Sequence, residues 1–253
     1  AFVQAGLAQM QDKGQYDNIN QSTTNVQALL AQITWYHHIT LLDKIKDEKL
    51  RYYYIEKTIE NGWSRDIMVN QIESWLHLRQ GKLQHNFSET LPAVKSDLAR
   101  ELFKDPYKFD FLQLTQEADE RELEEALISH ISKFLLEMGK GFSYMGRQVH
   151  LEKGGQDYYL DLLFYHTKLH CHIIIELKIG DFKPEYTGKM SFYLSAFDED
   201  QRAAEDGPTI GIILCKSKNK VTAEYALKDV NKPMGIAEYN LTAAIPEDLK
   251  AEL

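Results

Sequence analysis

The chain has 253 residues, 43% of them hydrophobic and 26% charged, with a formal net charge of −9 and a pI of about 5.5. That is room for one large or two modest domains, in the balance of an ordinary globular protein. It excludes a membrane span, because no apolar run approaches the roughly 20 residues that a spanning helix needs, and it excludes a protein that coats nucleic acid by bulk positive charge.

The chain opens Ala1-Phe2-Val3-Gln4, with no basic stretch leading into an apolar core, so no signal peptide is expected. The missing initiator Met makes an incomplete or processed N-terminus the expectation. The two cysteines, Cys171 and Cys215, lie in apolar runs and read as buried thiols of a reducing compartment, which points to the cytoplasm. Residues 1–24 are ambiguous: Phe2 to Met10 suits a helical turn or two, and the polar stretch Gln11 to Thr24 reads as a loop or a poorly ordered segment.

Residues 26–45 repeat Leu29, Leu30, Ile33, His37, Leu41 and Ile45 at helical spacing. A second helix is predicted over 49–59. It stops at Asn61-Gly62, since both residue types tolerate the left-handed conformation that ends helices. Ser64 is placed to cap a third helix carrying Ile67, Met68, Ile72, Trp75 and Leu76. Helix, glycine turn, helix is the outline of a helix-turn-helix. Its second helix would offer Arg65, Asn70, Gln71, Ser74, His77 and Arg79 to phosphates or base edges; scaffolding is the alternative for such a pair in an acidic chain.

Residues 81–114 are less regular. A short helix is predicted over 94–103, followed by the Pro-punctuated connector Asp105-Pro106-Tyr107-Lys108-Phe109, and a domain boundary near residue 112. The division expected is therefore 1–112, mainly helical, and 113–253, mixed α/β. A long helix follows over 120–138, with Leu123, Leu127, Ile131, Phe134 and Leu135 as its stripe. Of the acidic residues near its start, Glu124 shares a face with Leu127, Ile128, Ile131 and Leu135 and leans toward the core. Glu125 sits nearer the edge. Glu122, Glu124 and Glu125 also suit a solvated cluster favoured by the helix dipole.

Strands are predicted over 144–151, up to the turn signal Gly154-Gly155, then over 157–165 and 170–178. A helix over 184–197 opens on Pro184-Glu185. A strand over 209–216 is apolar enough to be buried on both faces. A helix over 222–227 and a strand over 235–241 complete a mixed α/β order.

The stretch Cys171-His172-Ile173-Ile174-Ile175-Glu176-Leu177-Lys178 ends a buried strand with two charges. Residues two apart point to one face of a strand, so Glu176 and Lys178 project together and Leu177 packs behind. Asp161 lies within the preceding apolar strand and needs a partner, because an unpaired buried charge is costly. Two carboxylates meeting at adjacent strands make a hard-cation site, and Mg²⁺ prefers one or two protein carboxylates plus water and phosphate oxygens. Lys178 beside it can orient or deprotonate a water. A nearby cation lowers the lysine's pKa and the carboxylates raise it. Lys189, Lys216, Lys218 and Lys220 are the candidate phosphate contacts, with a solvated lysine cluster as the alternative. His170 and His172, two apart on the strand, are read as exposed in preference to a transition-metal pair.

Asp161 with Glu176-x-Lys178 on the next strand resembles the PD-(D/E)xK nuclease fold. The wider set Gly141-Phe142, Gly146-Arg147-Gln148, Tyr159-Leu160-Asp161-Leu162-Leu163-Phe164-Tyr165, Ile175-Glu176-Leu177-Lys178, Phe182-Lys183-Pro184-Glu185-Tyr186 and Gly211-Ile212-Ile213-Leu214-Cys215-Lys216-Ser217 is similar to the bacterial YhcG-type nuclease family. The resemblance is strong over the second half and looser in the first, around Trp35 and Trp63. Leu160 stands where the superfamily's name has proline, a position that varies. The resemblance implies a winged-helix-like N-terminal domain ahead of a restriction-endonuclease-like domain whose central mixed sheet is flanked by helices. It implies a Mg²⁺- or Mn²⁺-dependent DNA endonuclease, in bacterial DNA processing or defence against mobile DNA. Asp161, Glu176 and the Leu177 carbonyl would be metal ligands, Glu124 would approach through water, with Glu125 as the alternative helix carboxylate, and Asp161, Glu176, Lys178 and Glu124 would form the catalytic set. Cutting two strands with one site per chain favours a homodimer. The alternatives are an inactive nuclease fold that binds nucleic acid or protein, and a helix-turn-helix regulator that uses the nuclease domain as a dimer scaffold.

Overall fold

The computed structural model describes residues 31–112 and 118–241. The chain divides into two compact units between His77 and Leu78. The expectations for residues 1–24 and for the start of the first helix lie outside the described residues.

In the first unit, α1 (Trp35–Lys44), α2 (Glu48–Asn61) and α3 (Arg65–Glu73) follow the predicted periodicity; the single turn α4 (Leu76–Arg79) holds the division, with Leu76 and His77 before it and Leu78 and Arg79 after it. Gly62 ends α2 in the left-handed region at φ 65°, and the Ser64 side chain accepts from the Ile67 N–H, so both expected signals act as expected. Leu41, Ile45, Tyr54, Ile55, Met68 and Leu76 form the core. The Tyr54 hydroxyl crosses it to the Gln71 carbonyl (3.2 Å) and to His77 Nδ1 (2.8 Å). The helix expected to run on through Leu76 is interrupted by Trp75, whose φ of 57° is left-handed. Among the described residues of this unit there is no strand, so the wing of a winged helix is not among them.

The second unit is a seven-stranded mixed sheet with helices on both faces. In chain order it comprises β1 (Gln84–His85), α5 (Phe87–Thr90), α6 (Ala93–Leu102), β2 (Tyr107–Lys108), α7 (Glu120–Ser129), α8 (Ile131–Met138), β3 (Phe142–Lys153), β4 (Gln156–His166), β5 (Cys171–Leu177), α9 (Glu185–Asp200), β6 (Ile210–Cys215), α10 (Lys220–Leu227) and β7 (Met234–Asn240). The order across the sheet is β1-β7-β6-β5-β4-β3, with β2 also on β7. β3, β4 and β5 pair antiparallel, whereas β5, β6 and β7 run parallel. Leucines and aromatics of α7 and α8 (Leu123, Leu127, Phe134) pack on one face, with Ile173, Ile175 and Leu177 of β5. Met190, Tyr193, Leu194 and Phe197 of α9, with Leu227 of α10, pack on the other, against Ile174 and Ile213.

Two expectations are corrected here. The boundary near residue 112 falls too late, because residues 78–112 belong to the sheet's unit. β1 pairs antiparallel and β2 parallel with β7, and the fully buried Phe87, Phe103, Tyr107 and Phe109 sit in the same core as Phe134 and Phe164. The predicted helix 120–138 is two helices. His130, at φ −116°, ends α7, and its Nδ1 lies 3.1 Å from the Ala126 carbonyl.

The chain enters β3 through Gly141, at φ 104°, a conformation L side chains rarely adopt. A Cβ there would lie 2.8 Å from Nε2 of His166. That ring is buried, edge-on to Phe142, and held by the Leu169 N–H at 3.1 Å, so it cannot swing aside. Gly141→Ala is therefore expected to cost about 2–4 kcal/mol, overpacking added to backbone strain, in urea or thermal melts. Gly139→Ala, also at positive φ (110°) but with open space for a Cβ, should cost less, about 1–3 kcal/mol of backbone strain alone; equal losses would show that the His166 contact is not the cause.

Candidate active site

The end of β5 collects the charged residues. The β4–β5 ladder pairs Leu162 with Ile175, and one step further brings Asp161 opposite Glu176. Asp161 Oδ2 accepts from the Leu177 N–H at 2.8 Å. Ile173, Ile175 and Leu177 face the α7–α8 layer, so Glu176, like Ile174, faces α9. There Lys189 of α9 donates to Glu176 Oε1. The β5–β6 ladder continues one bond past the strand, Lys178 N–H to the Leu214 carbonyl at 2.8 Å, and the Tyr239 hydroxyl donates to the Lys178 carbonyl at 3.1 Å. These bonds fix the backbone of the Glu-x-Lys segment. The Lys178 ammonium then reaches the Leu177 carbonyl (2.8 Å), Glu120 Oε2 (3.0 Å) and Glu176 Oε1 (3.3 Å), over the Tyr186 ring.

The electrostatics follow from burial and crowding. Burial, then the Glu176 charge, pushes the Asp161 carboxyl up to about 6, against the Leu177 hydrogen bond and the two lysines. Burial pulls Lys178 down, but Glu176, Glu120 and Asp161 more than reverse it, so its pKa is raised and the ammonium is held. Lys189 is likewise pulled down by burial and raised on balance by its bond to Glu176. Glu176 Oε2 is buried and has no hydrogen-bond partner, an arrangement that calls for a cation or a water donor. Among the described residues no three acidic, histidine or cysteine side chains converge as a ready-made metal cluster. Asp161, Glu176 and the Leu177 carbonyl, the last accepting from Lys178 in this metal-free arrangement, are oxygen donors of the kind a hard cation that keeps several waters takes.

Glu124 is buried, as its helical face implies, but not against this pair. It accepts from Gln148 and lies 3.7 Å from Arg147 Nη1. Gln148 stands between the pairs Arg147–Leu162 and Val149–Leu160, hence across from Asp161, in a left-handed conformation at φ 46°. Glu122 completes a capping box with Asp119, and Glu125 meets Arg121 at the surface. The carboxylate that α7 brings to Lys178 is Glu120, which sequence reasoning passed over. The signal was available: Glu120 lies one turn before Glu124 on the same face.

The basic residues separate. Lys189 is in the site and half exposed, and Lys216 is exposed just after β6. Lys218 is buried in an ion pair with Asp105, and Arg79 is buried against Glu137 at 2.5 Å and the Pro106 carbonyl at 2.9 Å. Neither can meet a phosphate, because a buried pair that loses one partner is strongly destabilised; both expectations are corrected. In the first unit Arg65 is half exposed, its Nε on Thr40 Oγ1 at 3.0 Å, whereas Gln71 is buried.

A mixed sheet covered by helices on both faces, with an Asp on one central strand facing a Glu-x-Lys at the end of the next, defines the PD-(D/E)xK nuclease fold. The chain belongs to the YhcG PDDEXK nuclease domain family, whose model matches residues 100–253. Residues 1–79 match the DUF1016 N-terminal domain. Over 213 residues, 83% of this chain, it is 33% identical to the protein named "Putative nuclease YhcG" of Escherichia coli (strain K12), and it spans 56% of that relative's length. Two solved structures overlap about half of it: a repair endonuclease from Pyrococcus abyssi (TM-score 0.33, 15% identity, 51% of this chain and 49% of that one) and EndoMS in a complex with dsDNA (0.34, 17%, 51% and 45%). Both overlaps are partial. No described helix is long and apolar enough to cross a membrane.

Proposed function

We propose that the chain is a divalent-metal-dependent endonuclease that hydrolyses DNA phosphodiester bonds, in bacterial DNA processing or in defence against mobile DNA. The observation that carries this is the buried, unpartnered Glu176 Oε2 beside Asp161. Asp161, Glu176 and the Leu177 carbonyl would hold Mg²⁺ or Mn²⁺. When bound, such a cation lowers the pKa of a water and offsets charge gathering on the phosphate. Asp161 and Glu176, opposed across β4 and β5, would supply the cation's two carboxylates. Lys178, anchored by Glu120 and Leu177, points an ammonium at the same place, where it donates to the attacking water or to a phosphate oxygen. Its raised pKa makes donor the role of the resting state. Glu124, held by Gln148 opposite Asp161, would act through that amide and not as a direct ligand. Lys189, Lys216 and, on the first unit, Arg65 would meet the DNA backbone, with a salt-sensitive affinity. One site per chain makes a homodimer the natural unit for cutting both strands.

The test is incubation of the protein with supercoiled plasmid, branched DNA and RNA, with Mg²⁺, Mn²⁺ or EDTA. Nicking of DNA with either metal and none in EDTA is the expected result. Retarded migration of DNA with no cleavage of any substrate would instead make this a nuclease fold that only binds.

A further inference from the structure

The Glu176 carboxylate is 3% exposed and carries two ammonium neighbours, but they are held differently. Lys178 is tied down from several sides, by Glu120, by the Leu177 carbonyl and over the Tyr186 ring. Lys189 comes from the other side, on the fourth residue position of α9 after its first-turn Glu185, with its side chain 47% exposed. Glu176 Oε1 and the Tyr193 ring, 5.1 Å beneath the ammonium, hold it. The oxygen it bonds belongs to the carboxylate proposed above to hold the metal. A buried carboxylate without a cation is costly, and Lys189 meets that cost in the metal-free protein. A divalent ion on the same buried carboxylate would repel the ammonium that shares it. The half-exposed side chain has solvent into which to withdraw.

We infer that Lys189 is the resident counter-cation of Glu176, which it yields to the entering metal, so that Lys189 sets metal affinity and is released toward the substrate's phosphates. This rests on the two-carboxylate reading of the site. It makes Lys189 a positioning residue whose effect is visible before any chemistry.

The test is titration calorimetry of Mg²⁺ and Mn²⁺ alone, without DNA, into wild type, Lys189→Met and Lys183→Met. Lys183 is an exposed lysine just ahead of α9, so its variant removes the same charge without the contact. Lys189→Met should bind metal on the order of tenfold more tightly, and Lys183→Met within about twofold of wild type. In melting curves, Lys189→Met should be less stable than wild type in EDTA and gain more from Mg²⁺. Equal or weaker binding by Lys189→Met, or equal tightening in both variants, overturns the inference. If wild type binds metal and Asp161→Ala does not, the parent reading stands whichever way Lys189→Met falls. No binding by any of the proteins overturns both.

Discussion

Asp161→Ala should abolish metal binding and cleavage together. Asp161 faces Glu176 across adjacent strands, and burial, then the Glu176 charge, lifts the Asp161 carboxyl to about 6. Removing it takes away one of the two carboxylates proposed to hold the cation, and the loss should exceed the roughly 10–100-fold that follows from removing an outer partner of a metal ligand. The same substitution leaves the Leu177 N–H without its acceptor, so a stability effect has to be separated from the binding effect. Asp161→Asn does this, since the amide oxygen still accepts from Leu177 while the charge is gone. Both variants should be silent in calorimetry with Mg²⁺, and Asp161→Asn should melt close to wild type. Metal binding by Asp161→Asn at wild-type affinity would remove Asp161 from the ligand set.

Lys178→Ala should reduce cleavage by about 10²–10⁴-fold, the range for a positioned acid–base group, and leave metal binding intact. A protonated ammonium has no lone pair to give a metal, and the held charge of Lys178 places it among the donors. Its loss removes the group that points at the water and at the phosphate while Asp161 and Glu176 stay in place. Lys178→Arg should fail as well. The planar guanidinium is larger than the ammonium it replaces, and the space between Glu120, Glu176 and the Leu177 carbonyl is fitted to a compact donor. Plasmid cleavage and calorimetry on the same preparations separate the outcomes. Wild-type cleavage by Lys178→Ala, still dependent on Asp161, would move the acid–base role elsewhere, with Lys189 first in line.

The sheet and the acidic pair were legible because their signals are local. Strand alternation, Gly154-Gly155 and the buried runs of β5 and β6 specify the ladder, and two-residue spacing places Glu176 beside Lys178. What was not legible depends on distance along the chain. Arg79 and Lys218 read as exposed cations until their partners Glu137 and Asp105, 58 and 113 residues away, are in place. Glu124 was correctly turned inward by helical period, but period carries no information on which strand it will meet; Gln148 claims it through a backbone twist that no pattern announces. Glu120 was hidden by its company, one carboxylate in an N-terminal acidic run where the helix dipole explains all of them equally well.

The pairing of β1 and β2 with β7 gives the stretch from 78 to 112 a function of its own. A parallel strand at the margin of a sheet presents a row of open amides and carbonyls, which is a template for a neighbouring molecule. Residues 84–85 and 107–108 occupy that row on β7. Asn86 fastens the start of the strap, its side chain bridging the carbonyls of Val230 and Lys232 and the N–H of Met234. A nuclease domain cut to begin at residue 113 would keep every residue of the proposed catalytic set and yet expose β7 to self-association. The sheet unit of this chain thus carries its own protection against aggregation in a segment that looks, by sequence, like a connector.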